Sequence, residues 1–206
     1  MRRWSVAALV ALMGTAGIAP ALAGNGAESG FAQAAAAQGA QKIIDNESVT
    51  VWKTASKLPP VPGDYVAVSL SQKGTATLGH RGETPGEAGS QTVVIELKDH
   101  RGASYLNNSG YPAAFPRPRV VKLIENDRVA VWAYRWNLAE PTPMHFHDKD
   151  VVVVYQDDTA LKSTEPDGKS VVNEYKSGDI RFNRGDRTHT ELLVRDTGSA
   201  VMIELK

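Results

Sequence analysis

From about residue 45 onward the chain is a series of short β-branched runs, each closed by turn residues, and no helical period sustains itself. Val49, Val51, Ala67 and Val68 belong to such runs, broken by Pro59-Pro60, Pro62-Gly63 and Pro85-Gly86. Residues 92–97 (Thr-Val-Val-Ile-Glu-Leu) read as a strand. Residues 101–118, with Gly102, Asn107-Asn108, Gly110 and three prolines, read as a long irregular connection. Further strands are expected at 119–124, 128–136, 151–156, 171–175, 179–183, 191–194 and 200–205. Many short strands separated by turn signals point to an all-β sandwich or barrel. The chain has no cysteine, which excludes disulfides, thiolate catalysis and thiolate metal ligands. Packing alone must hold the fold, a condition that a closed barrel meets.

Ahead of the β region the pattern differs. Met1-Arg2-Arg3 is followed by an apolar, uncharged run over 4–18 and then by Ala21-Leu22-Ala23 before Gly24. A basic start, an apolar core and a small-x-small site form a secretory signal peptide over 1–23, so the expected location is periplasmic or secreted. The alternative, a membrane anchor, needs about 20 apolar residues, more than this run supplies. Residues 24–44 read as a flexible or weakly helical leader, because 24–40 are largely Gly, Ala, Ser and Gln. Residues 24–40 offer little apolar surface, so their deletion is expected to leave the barrel's stability unchanged. Net charge is zero and no basic stripe appears, so neither nucleic acid nor, once the signal is removed, a membrane is an expected partner.

The β region also repeats itself. Residues 45–52 (Asp-Asn-Glu-Ser-Val-Thr-Val-Trp) parallel 125–132 (Glu-Asn-Asp-Arg-Val-Ala-Val-Trp). Residues 64–76 parallel 148–160, and 93–98 (Val-Val-Ile-Glu-Leu-Lys) parallel 201–206 (Val-Met-Ile-Glu-Leu-Lys). Three matches in one order suggest a degenerate copy with its connection over 45–118 and a second copy over 119–206. The first copy lacks the segments that hold the histidines discussed next, so it reads as scaffold.

Pro143-Met144-His145-Phe146-His147-Asp148 carries the chemistry. On a strand, His145 and His147 project to one side, within reach of one metal ion. A third ligand must come from elsewhere, and His189, closing the segment Gly178 to His189, is the candidate. In the folded barrel the closest ring nitrogens should lie within about 4 Å, the separation of two ligands on one ion. Tyr155 is a candidate acid or hydrogen-bond donor, and Arg181 and Arg187 are candidates for holding an anionic substrate. The alternating Trp132, Tyr134 and Trp136 would line a cavity or pack the core. His80 and His100 read as surface residues, and Gln156-Asp157-Asp158 as a turn.

The two histidine segments resemble the two cupin motifs: His-x-His followed three or four residues later by Glu, then Gly, five residues, Pro-x-Gly, two residues and His. The resemblance covers residues 119–206 and, more faintly, 45–98. It implies an all-β, cupin-type jelly-roll β-barrel with extra N-terminal strands from a degenerate second copy. It also implies one divalent metal ion (Fe, Mn, Zn, Ni or Cu) held by His145, His147 and His189. The motif's Glu would fall at Val151 or Val152, and its Pro and second Gly fall on Arg184 and Asp186. Three readings stay open: three histidines with free coordination positions, completion of the set by Asp150 or Glu191, or a pocket without metal. Accordingly the chain reads as a metal-dependent enzyme on a small polar molecule, dioxygenase-like or related. The alternatives are a non-catalytic module for a small ligand or metal, and a structural barrel that forms a homodimer. N-terminal sequencing of exported protein should begin at Gly24; material retaining Met1-Arg2-Arg3 would show that 1–23 is not removed.

Overall fold

A computed structural model describes residues 25–195 and 197–206. The expected signal peptide over 1–23 lies outside the described residues. Among those described, no helix is long and apolar enough to cross a membrane. One helix, α1 (Asn25–Ala37), precedes fourteen strands. The first sheet has the order β1-β2-β5-β3-β4 and is built from β1 (Gln41–Asp45), β2 (Val49–Thr54), β3 (Tyr65–Ser69), β4 (Ala76–Gly79) and β5 (Thr92–Leu97). The second has the order β6-β7-β14-β9-β12, from β6 (Val121–Glu125), β7 (Val129–Arg135), β9 (Val151–Tyr155), β12 (Ile180–Asn183) and β14 (Ser199–Leu205). A four-stranded sheet, β11-β10-β13-β8, comes from β8 (His145–His147), β10 (Thr159–Thr164), β11 (Ser170–Tyr175) and β13 (Arg187–Leu193).

Strand alternation divides the interior. In the second sheet Val129, Val131, Val152, Val154, Val201 and Ile203 point one way, into a core shared with Val49, Val51, Val66, Val68, Val93 and Ile95 of the first sheet. Their sequence neighbours Ala130, Trp132, Tyr134, Val151, Val153 and Met202 point the other way and pack with Leu161 and Leu193 of the four-stranded sheet. The second half is therefore a two-sheet jelly roll, and the first half is one sheet laid on its back. That explains why β5, β9 and β14 are buried at every position and are mostly apolar on both faces: both faces of each strand are covered.

The two five-stranded sheets match strand for strand. Val49 pairs with Leu97 as Val129 pairs with Leu205, and β1 and β6 each shift register against their partners, at Lys42/Ile44 and Lys122/Ile124. Asn46 and Asn126 each accept two backbone N–H bonds within the turn that follows. Tyr65 faces Glu96 as Val151 faces Glu204, so the partner of Tyr65 lies two residues beyond where matching 64–76 to 148–160 puts it. A slip of two keeps every side chain on its face, so composition alone does not detect it. The first half has no counterpart of β8, β10, β11 and β13.

The face of the first sheet left uncovered explains the leader. Phe31, Ala35 and Ala40 are buried against Trp52, Leu58, Val61, Tyr65 and Val94, with Phe31 edge-on to Trp52 at 5.5 Å between ring centroids. Of the two readings of 24–44, flexible or weakly helical, 25–37 takes the helical one and 41–45 is the edge strand of the sheet; what is corrected is the expectation that the segment does not pack. Its few large apolar side chains escape a composition argument, but one phenylalanine on an uncovered sheet face suffices. Gln156-Asp157-Asp158 also does more than turn. Buried Gln156 accepts from Gly74 N at 2.6 Å and donates to Ser69 O at 3.0 Å, tying the halves together. Phe31→Ala should cost about 3 kcal/mol and lower the Tm by roughly 6–12 °C. Thermal unfolding checks this, and an unchanged Tm would show that the helix does not contribute.

Candidate metal centre

His145 and His147 sit on β8 and His189 on β13, and the antiparallel register sets His189 directly opposite His145. Neighbours on one strand and a cross-strand partner form a triangle, with ring centroids 5.0, 4.9 and 5.1 Å apart. All three rings are buried, at 1%, 7% and 7% exposure. His147 Nε2 and His189 Nε2 lie 3.2 Å apart, inside the expected separation, and one donor nitrogen per ring fits within 4.8 Å of the others. Two nitrogens on a zinc-like ion, each at about 2.1 Å, stand roughly 3.0–3.4 Å apart.

The electronic state of the rings suits ligation. Burial holds all three neutral: it pushes His145 down to about 3, aided by the Arg117 charge, and it lowers His147 and His189 as well. His145 Nδ1 donates to Pro143 O at 2.8 Å, which leaves the lone pair on Nε2. Ser163 Oγ lies 3.2 Å from His189 Nδ1 and can steady that ring through the nitrogen turned away from the cluster. His147 Nδ1 is buried without a partner. Three buried neutral imidazoles with converging nitrogens fit a divalent ion.

Between the two sheets of the jelly roll lies a cavity of about 70 Å³, lined among others by His147, His189, Val151, Tyr155, Arg187 and Glu191. Val151, one of the two positions where the resemblance puts a Glu ligand, faces this cavity, while Val152 faces the first sheet. Asp150 is not brought to the site. Its Oδ1 accepts from Tyr105 Oη at 3.0 Å and from Gly185 N at 2.9 Å, and it belongs to no ligand cluster. Glu191 does reach the cavity but is engaged by Arg117 Nη2 and by Trp136 Nε1, at 3.3 and 3.2 Å. Burial pushes its carboxyl up, yet the Arg117 charge and the Trp136 N–H hold it below the usual range, so it is ionised. Tyr155 lines the cavity stacked on Tyr175 at 3.7 Å, and burial pushes its hydroxyl pKa up, so it stays protonated and can donate a hydrogen bond. Arg187 lines the cavity, with Nε donating to Arg184 O at 3.0 Å. Arg181 does not: it is exposed and lies over the Tyr175 ring, 5.9 Å from its centroid. Trp132, Tyr134 and Trp136 pack in the core, and His80 and His100 are on the surface.

Arg117 is the residue that sequence reasoning missed. It lies between Pro116 and Pro118 in the irregular connection, where no period or motif marks it. It is 8% exposed, lines the cavity and donates through Nη1 to His145 Nε2 at 2.7 Å. The second motif is more legible in the backbone. Gly178 has φ 83°, and Asp186, where the motif has its second Gly, has φ 58°. Aspartate is among the few side chains that enter that left-handed region readily, so the departure preserves the turn.

No protein-family model matches the sequence, and no curated protein is significantly similar to it. Among solved structures, an oxalate decarboxylase of Bacillus subtilis superposes with a TM-score of 0.50 at 10% identity, over 80% of this chain and 72% of that one. A cupin domain from Bordetella pertussis is 27% identical with a TM-score of 0.39, over 45% of this chain and 99% of that one. A cupin 2 barrel protein from Leptotrichia buccalis gives 0.43 at 13% identity, over 81% and 88%. The fold is the all-β cupin jelly roll. Because the unfolded chain's histidines titrate near 6.5 while burial lowers the folded values, the unfolded state takes up protons first as pH falls. Folding stability of the metal-free protein is therefore present above about pH 6.5 and declines below it, by about 1.4 kcal/mol per pH unit for each histidine held neutral. Urea unfolding between pH 7.5 and 5 checks this: replacing the three histidines by Asn should flatten the dependence, and an equal slope would refute it.

Proposed function

We propose that His145, His147 and His189 hold one divalent metal ion and present it to a small polar molecule inside the jelly roll of an exported protein. The observation that carries this is the convergence of three buried, neutral imidazoles on one point beside a cavity. When bound, the ion supplies Lewis acidity and free coordination positions, since no fourth protein ligand stands at Val151. The chain's own groups do the rest. Pro143 O and Ser163 Oγ fix two of the rings, Tyr155 and Arg187 offer donors along the cavity wall, and Val153, Leu161 and Met202 exclude water. A cavity of about 70 Å³ has room for a few waters or one molecule of a few heavy atoms. It opens towards a wider surface groove through Ser163, Asn173, Arg187 and His189, which border both.

An enzyme acting on such a molecule, by oxidation or isomerisation, is the first reading. A non-catalytic module for a small ligand or for the metal is the second, favoured by one observation: the cavity's carboxylate, Glu191, is already bound by two donors and is not a free base. Metal analysis of protein purified without chelator should find one equivalent. It should be lost in His147→Ala and His189→Ala and kept in His80→Ala and His100→Ala. Equal metal in the His147→Ala protein would remove the metal reading. With metal present, turnover of any member of a small-molecule panel separates enzyme from module.

A further inference from the structure

The cavity carries more positive charge than its neutral histidines account for. Arg117 and Arg187 line it against the single carboxylate Glu191, so one positive charge is in excess, and a divalent ion would raise the excess to three. Buried Arg117 is paired with Glu191 and half-buried Arg187 borders the surface groove, so it is the charge of a divalent ion that would stand uncompensated, in a cavity too small to hydrate it fully. Arg117 is also unusually committed. Its guanidinium lies over Tyr134 and Phe115, 4.4 and 5.1 Å from the ring centroids, and contacts Met202 Sδ at 4.0 Å. It reaches Glu191 at 3.3 Å, yet its shortest bond is the 2.7 Å one to His145 Nε2. That nitrogen carries the lone pair a metal would use, because Nδ1 is spent on Pro143 O. A second donor, Arg117 Nε, is buried with no acceptor.

Metal and guanidinium thus compete for one lone pair. A cation displaced from His145 next to a divalent ion needs a new acceptor within the same small space, and Glu191 alone cannot offset both. The geometry points to Arg117 as the recognition residue for a small carboxylate that bridges guanidinium and metal, so that metal and carboxylate bind this centre together. The forked donors of arginine match the two oxygens of a carboxylate. The carboxylate draws Arg117 off His145, frees Nε2 for the ion and cancels part of the charge. This rests on the metal reading above and adds the chemical class of the ligand, together with a thermodynamic coupling that must be reciprocal.

The test is the affinity of the metal-free full chain for zinc, by competition with a chromophoric chelator, with and without saturating sodium formate at constant ionic strength. Formate should tighten zinc binding to the wild-type protein about tenfold or more, within the usual range of coupling between sites. Arg117→Met should bind zinc without formate at least as tightly as wild type does, because nothing competes for His145, and should lose most of the formate effect. Removing Arg117 leaves Glu191 buried and unpaired, so the double variant Arg117→Met/Glu191→Gln repeats the measurement in a protein without that orphaned charge. Zinc binding to wild type that ignores formate, or a formate effect undiminished in both variants, overturns the inference and leaves the metal centre standing. Absence of zinc binding under every condition, or binding untouched by His147→Ala, overturns the proposed function and this inference with it.

Discussion

Burial of the second five-stranded sheet on both faces is the constraint on which everything else rests. Val152 and Ile203 point to the first sheet, while Val151 and Met202, one residue away on the same strands, point into the jelly roll. A register slip of one residue would exchange the two cores and turn the cavity inside out. Packing against the first sheet therefore does more than add stability. It locks which residues of β9 and β14 face the histidines, and the tie from Gln156 to Ser69 and Gly74 holds the same alignment from the loop side.

The first sheet has the strand order of the second but no sheet over its outer face, and an apolar face bare in water is a liability. The helix preceding it and the turn that follows supply the cover with a minimum of apolar material, Phe31 and Ala35 on the helix and Ala40 after it. The chemistry follows the same division. His145, His147 and His189 all lie on strands of the four-stranded sheet, the layer that the first half lacks. The first half can thus offer a platform and cannot offer this triad.

What the sequence disclosed tracks how local each signal is. The strands at 92–97 and 200–205 are readable because apolar, β-branched residues cluster over a few positions, and the strand pair His145 and His147 because side chains on a strand have period two. His189 was found only through its spacing from Gly178, since β13 begins at Arg187 with polar residues and resembles no buried strand. Docking of α1 was not readable, because it depends on a bare sheet face that emerges only once the strands are counted in space. Asp150, one of the two residues offered to complete the ligand set, lies one step before the strand position that faces the cavity. Next to a buried valine on β9, it turns to Tyr105 and Gly185 and not to the histidines.

Arg117 lies furthest from any local signal, and it changes the electrostatic character of the centre. A metal site built from three neutral ligands keeps the full charge of its ion, which a carboxylate ligand would reduce. Here the cavity position on β9 is Val151, and the nearest carboxylate, Glu191, is shared with a guanidinium. With an ion bound as proposed, the arrangement would transfer the task of neutralisation from the protein to whatever enters the cavity. A neutral ligand would leave Arg117 and the ion facing each other across a few ångströms of low-dielectric interior, where repulsion is poorly screened. On the proposed reading an anion would relieve both at once, so the valine that weakens the site as a bare metal trap would make it selective for the charge of its ligand.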